Sequence, residues 1–114
     1  MKTLIMSSRY LNDGDNLDNY IAQVESFLNR MIPPNAVITM GNLKNGPMIH
    51  FIKSLGYDVN KKIQMPESLY NSNRKLIREH ELVIFLIHNH SSNMTDFWEY
   101  AKEMKINQIE VLDL

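Results

Sequence analysis

The chain predicts an α/β fold: a three-layer sandwich around a five-stranded, mainly parallel sheet with the strand order 3-2-1-4-5. Three observations carry this. Short apolar runs without polar alternation, such as Leu82-Val83-Ile84-Phe85-Leu86-Ile87, are the pattern of strands buried on both faces. Segments with apolar residues at three-and-four spacing separate these runs. Two polar loops, Gly41-Asn42-Leu43-Lys44-Asn45-Gly46 and His88-Asn89-His90-Ser91-Ser92-Asn93, lie where apolar runs hand over to helical periodicity.

Each element follows in order. Residues 3–6 are a continuous apolar strand. Leu17, Tyr20, Ile21, Val24, Phe27, Leu28 and Met31 trace one face of an amphipathic helix, with Asp15 as its N-cap and Asp18 favourable in the first turn. Pro33-Pro34 ends it. A second strand covers 36–40. A helix then runs from Pro47, suited to a first-turn position, to Gly56, suited to a C-cap. Residues 57–63 form a weaker strand nearer the edge, and 68–80 a third helix. The most hydrophobic strand covers 81–87. Asn93 or Thr95 caps a last helix through Lys105, and 109–112 closes the sheet. Five strands alternating with four helices imply right-handed crossovers and helices on both faces.

Bulk properties narrow the function. At 114 residues the chain forms one domain, 1–114, of a size that buries about two-thirds of its unfolded surface without staples. A net charge of −1 and a pI near 6.4 supply no global basic field for nucleic acid. With no cysteine, disulfides, thiolate metal sites and thiol nucleophiles are excluded. The apolar start turns polar at Ser7-Ser8-Arg9, too soon for a signal peptide. No apolar run approaches the roughly 20 residues that span a bilayer. A cytoplasmic protein without a membrane partner is expected. Its richness in asparagine and methionine suggests an AT-rich genome.

The strand order predicts where chemistry belongs. Ligands of open parallel sheets bind at the carboxyl ends of the strands, at the point where the order reverses, and helix N-termini there offer free N–H groups to anions. Here that point lies between strands one and four. The loops after strands one, two and four contribute Ser7, Ser8 and Arg9, then Gly41, Asn42, Lys44, Asn45 and Gly46, then His88, His90, Ser91, Ser92, Thr95 and Asp96. Arg9 offers a bidentate contact to phosphate or carboxylate, and Lys44 a point charge. Gly41 and Gly46 permit close backbone approach or positive φ, although Gly-Asn and Asn-Gly are also ordinary turn dipeptides. His88 and His90 alternate at a strand end, so both could face a metal. No spacing supplies a third ligand, and hydrogen bonding to a ligand is the preferred role. No metal and no cofactor are therefore assigned. Trp98, Phe97, Ala101 and Met104 share a helix face and read as core or interface. Arg74, Lys75 and Arg78 read as a solvated basic face.

The chain resembles the SLOG superfamily of Rossmann-like nucleotide-binding proteins, which includes the LOG phosphoribohydrolases and the DNA-processing-protein-A-like domains. Ser7-Ser8-Arg9 with Asp13 resembles the Gly-Ser-Arg-like turn after their first strand. Gly41 to Gly46 resembles their Gly-Gly-x-x-Gly loop with one extra residue. Ser72-Asn73 falls where they carry Arg-Asn. Ser92-Asn93-Met94-Thr95-Asp96-Phe97-Trp98-Glu99-Tyr100-Ala101 corresponds to their Ser-Gly-Thr turn and following helix. The resemblance spans nearly the whole chain. It implies a Rossmann-like sandwich binding a nucleotide-like small molecule, with Asn73 in the site, Tyr70 stacking on the base, and a homo-oligomer completing the crevice.

Catalysis has less support. No acidic residue follows Gly46 in Pro47-Met48-Ile49-His50, where the phosphoribohydrolases keep a catalytic carboxylate. In the neighbouring nucleoside deoxyribosyltransferases a Glu nucleophile would fall on Phe97. Glu99 lies two positions on, about 200° around a helix. Asp96, expected in the first helical turn, could serve as base or nucleophile or merely favour the helix dipole. Three readings stay open: a binding protein for a nucleotide or nucleotide-derived signal, with a signalling or defence role; a nucleotide N-glycosidase or transferase using Asp96 or Glu99; and a ligand-free interaction module from a phage or mobile element.

Overall fold

The structure is a computed structural model that describes residues 2–41, 46–60, 69–89 and 91–114. Its strands are β1 (Lys2–Ser7), β2 (Val37–Met40), β3 (Asp58–Asn60), β4 (Leu82–Ile87) and β5 (Gln108–Asp113). They form one sheet in the order β3-β2-β1-β4-β5, and every pairing is parallel. This is the predicted Rossmann-like α/β sandwich, with its order reversal between β1 and β4. Residues 61–63, expected to extend the third strand, lie outside the described residues.

Parallel strands buried on both faces sort alternate residues into two cores. Ile5, Leu82, Ile84 and Leu86 pack on one face with Val24, Phe27, Leu28, Met48 and Ile52. These come from α2 (Ile21–Met31) and α3 (Pro47–Ser54). Leu4, Met6, Val83, Phe85 and Ile87 pack on the other with Ile77, Met94, Phe97, Tyr100 and Ala101, from α4 (Leu69–Glu79) and α5 (Ser92–Glu103). All six residues of β4 are buried, as its unbroken apolar run requires.

Helix boundaries correct three expectations. The first amphipathic stretch is two helices: α1 (Gly14–Asp18) and then α2, separated by a turn at Asn19 and Tyr20. Tyr20 leaves helical geometry at φ −125°, ψ 7°. The residue capping α1 is Asp13, whose carboxylate accepts from Asp15 N at 3.0 Å and Asn16 N at 3.3 Å; Asp15 is already inside the helix. The N-cap of α5 is Ser91 rather than Asn93 or Thr95. The described residues therefore hold five α-helices and a 3-10 turn at Arg9–Asn12, against the four helices expected. The α3 signals act as read: Pro47 opens the helix, and Gly56 follows it at φ +92°, the left-handed geometry glycine adopts without a Cβ clash. No helix among the described residues is long and apolar enough to cross a membrane.

Candidate functional site

The reversal of strand order leaves β1 and β4 adjacent while their outgoing chains turn to opposite faces, and this opens a crevice at their carboxyl ends. Backbone bonds tie the two exits together. Ser8 N donates to Leu86 O at 2.9 Å, carrying the β1–β4 pairing one residue past the strand. His88 N donates back to Ser8 Oγ at 3.0 Å. Both serines of the turn are buried, and Ser7 Oγ donates to Ser8 O at 3.2 Å. Their hydroxyls therefore hold the turn.

The β4 exit is held from a third direction. Asn89 has φ 52°, left-handed geometry that Asn tolerates better than most residues. Its N–H donates to Leu114 O at 3.0 Å, while Leu114 N donates to Ile87 O at 2.7 Å. Ser91 N donates to His88 O at 3.2 Å, closing the loop directly before α5.

Above this floor lies a cavity of about 390 Å³ lined by Ser8, Arg9, Tyr10, Asn73, His88, Ser91, Asn93, Met94, Asp96 and Phe97. The volume falls in the range of small-molecule sites, roughly 300–1,000 Å³. Tyr10, Met94 and Phe97 give it apolar wall, and the rest supply converging polar groups. Arg9 and Asp96 are exposed and bring opposite charges to its border.

Asn73 projects from α4 and is 1% exposed. Its Oδ1 is buried with no hydrogen-bond partner among the described residues. A buried amide oxygen without a donor costs about 1–3 kcal/mol, so its presence on the cavity wall marks a place where a donor belongs. The helix that carries it is fastened to α5: Arg78 Nη1 donates to Tyr100 Oη at 2.8 Å, and the Arg74 guanidinium lies 4.4 Å from the Tyr100 ring centroid. Arg74 and Arg78 thus grip a neighbouring helix instead of only facing water.

His88 packs against two aromatic neighbours. Tyr10 stacks on it with centroids 3.8 Å apart and planes 11° from parallel. Tyr20 meets it nearly edge-on at 5.5 Å, and Tyr20 Oη lies 3.3 Å from His88 Nε2. The turn that separates α1 from α2 is what presents Tyr20 here.

Of the residues expected from sequence, Ser8, Arg9, Asn73, His88, Ser91 and Asp96 share the cavity. Others do different work. Gly41 is buried and pairs with Ile5 O at 3.0 Å; a Cβ there would run into Met6 Sδ, so glycine serves strand packing. Gly46, at φ +125°, sits against the Asn12 side chain. Thr95 Oγ1 donates to Ser91 O at 2.9 Å, turned back on its own helix, and Ser92 is exposed at the α5 start. Glu99 pairs with Lys102 at 2.9 Å, both about half exposed. Asn42, Lys44, Asn45, His90 and the side chain of Tyr70 lie outside the described residues.

Asp96 takes on a new meaning. Because α5 starts at Ser92, Asp96 is in the second turn, where the dipole effect has faded. Helix-start chemistry does not explain its place on the cavity wall.

Sequence reasoning missed Tyr10 and Phe97 as lining residues, and placed Asn93 and Met94 in the converging loop without singling them out. Asn93 read as a cap, and Phe97 as core or interface; Phe97 is both core and cavity wall, at 6% exposure. Tyr10 had one signal: it directly follows Arg9 in the turn after the first strand. Among the described residues, no three His, Asp or Glu are grouped to hold a metal ion. No protein-family model, curated protein or solved structure matches the chain.

Proposed function

We propose that this chain binds a nucleotide or nucleotide-derived small molecule in the cavity between the β1 and β4 exits, as its resemblance to SLOG proteins implies. The observation that carries the reading is Asn73 Oδ1, a buried acceptor without a donor among the described residues, on the wall of a cavity at the sheet's switch point. Such a group is stabilised by a ligand N–H or O–H, which a nucleobase or ribose supplies. Arg9, exposed at the border, suits a phosphate.

The test is a thermal-shift screen of the whole chain with nucleoside mono-, di- and triphosphates and cyclic nucleotides. A ligand at 100 times its Kd stabilises by about 2.7 kcal/mol, so a binder raises Tm by several degrees. A flat response across the panel at millimolar concentration ends the proposal and favours a ligand-free interaction module.

The position of Asp96 favours a second reading, an N-glycosidase or transferase acting on the same ligand class. A carboxylate on the cavity wall with no helix-start role is available as base or nucleophile. This reading requires free base to appear from a nucleotide panel and to vanish in Asp96→Asn. Glu99, held by Lys102, is a poorer candidate.

A further inference from the structure

We infer that Tyr10, braced by His88, is the platform on which the ligand's flat heteroaromatic ring stacks, so that the cavity holds a nucleotide by its base as well as by its sugar and phosphate. This rests on the nucleotide reading above and adds which end of the ligand is read, and by which side chain.

Tyr10 is one of the few large hydrophobic residues left exposed, at 44%, and it lines the cavity. An exposed ring beside a pocket is ordinarily mobile, and ordering it on binding would cost affinity. Here the ordering precedes the ligand. One face of Tyr10 lies parallel on His88 at 3.8 Å. His88 in turn cannot swing away: its backbone N–H bonds Ser8 Oγ, its Nε2 meets Tyr20 Oη, and Tyr20 packs against its ring. The result is a two-ring stack anchored to the β1 and β4 exits, with much of the outer ring open.

A third ring continues such a stack with good offset geometry. The remaining cavity wall complements it, since Phe97 and Met94 give apolar and polarisable contacts to a flat ring. Stacking tolerates any base because every base has a π-face. Selection among bases then falls to polar groups such as Asn73. A sugar phosphate lacking a base would forgo this contact entirely.

The experiment is calorimetric titration of the whole chain with AMP, GMP, CMP and UMP, and with ribose 5-phosphate as the ringless probe. One stacked base corresponds to about 5- to 150-fold in affinity. The expected results are that the best nucleotide exceeds ribose 5-phosphate by a factor in that range, and that Tyr10→Leu lowers nucleotide affinity by a similar factor without changing that of ribose 5-phosphate. Tyr10→Phe, which keeps the ring, retains wild-type binding and controls for folding. Equal nucleotide affinity in wild type and Tyr10→Leu overturns the inference while leaving the nucleotide reading intact. Where none of the four binds the wild type, the titration is repeated with the di-, tri- and cyclic nucleotides of the thermal-shift panel, and failure of all of these overturns both.

Discussion

Replacing Gly46 with alanine separates turn mechanics from ligand contact in the loop after β2. Gly46 sits at φ +125°, ψ −172°, a region occupied essentially by glycine alone, and forcing a side chain into it costs about 1–3 kcal/mol. The new Cβ would also meet Asn12, at 2.6 Å from Nδ2 and 2.8 Å from Oδ1. That side chain cannot retreat freely, because Asn12 Oδ1 accepts from Met48 N at 3.1 Å and so satisfies one of the open N–H groups at the start of α3. Losing a cap of this kind costs about 0.5–2 kcal/mol. Together Gly46→Ala should destabilise by about 1.5–5 kcal/mol, a large share of the roughly 5–15 kcal/mol that holds a domain together. With an unfolding entropy of about 2.1 cal/mol/K per residue, a chain of this length loses about 4 °C per kcal/mol. The expected fall in Tm is therefore about 6–20 °C. Calorimetry or circular dichroism on Gly46→Ala, Asn12→Ala and the double variant gives the coupling. The double should fall short of the sum, since Asn12→Ala removes both the clash and the cap. A Gly46→Ala variant melting within about 2 °C of wild type would refute the reasoning and return the glycine to a role in approaching a ligand.

Three further outcomes are expected. Asn73→Leu removes a buried oxygen that has no partner among the described residues and should cost no more than about 1 kcal/mol of stability while abolishing nucleotide-induced stabilisation; a large loss of stability would make Asn73 a structural residue. At Asn89, whose φ is 52°, glycine should be tolerated and valine should cost about 1–2 kcal/mol, read from denaturant midpoints; equal midpoints for the two variants would contradict the left-handed geometry. Phe85, among the largest fully buried side chains, should cost about 3–5 kcal/mol on truncation to alanine, and a urea midpoint within error of wild type would contradict its place in the core.

Legibility varied with the range of the interaction. The strand order was readable because a strand buried on both faces writes its burial into contiguous apolar residues, as 82–87 does. Pro33, Pro47 and Gly56 marked ends correctly because their constraints are local to their own backbone. The single long helix was misread because three-and-four periodicity continues through Tyr20, whose apolar ring suits either a helix face or the turn it occupies. Asp15 was chosen over Asp13 as cap because both are acidic and two residues apart, and only backbone geometry separates them.

The site divides in the same way. Ser8, Arg9, Ser91 and Asp96 were legible once the topology assigned two loops to one sheet edge. The aromatic brace was not: Tyr20 and His88 are 68 residues apart, and Ser8 and His88 are 80 apart. The sequence by itself determined which runs are strands, their order in the sheet and the edge where a ligand would sit, because each follows from burial patterns and chain connectivity. Only the tertiary structure decided that Tyr10 stacks on His88, that Asn12 caps a helix 36 residues away, and that Gly41 lies against Met6 and Gly46 against Asn12. Those pairings depend on the register of β1 with β4 on one side and with β2 on the other, which brings distant side chains within bonding distance, and no local pattern of residues records where that register falls.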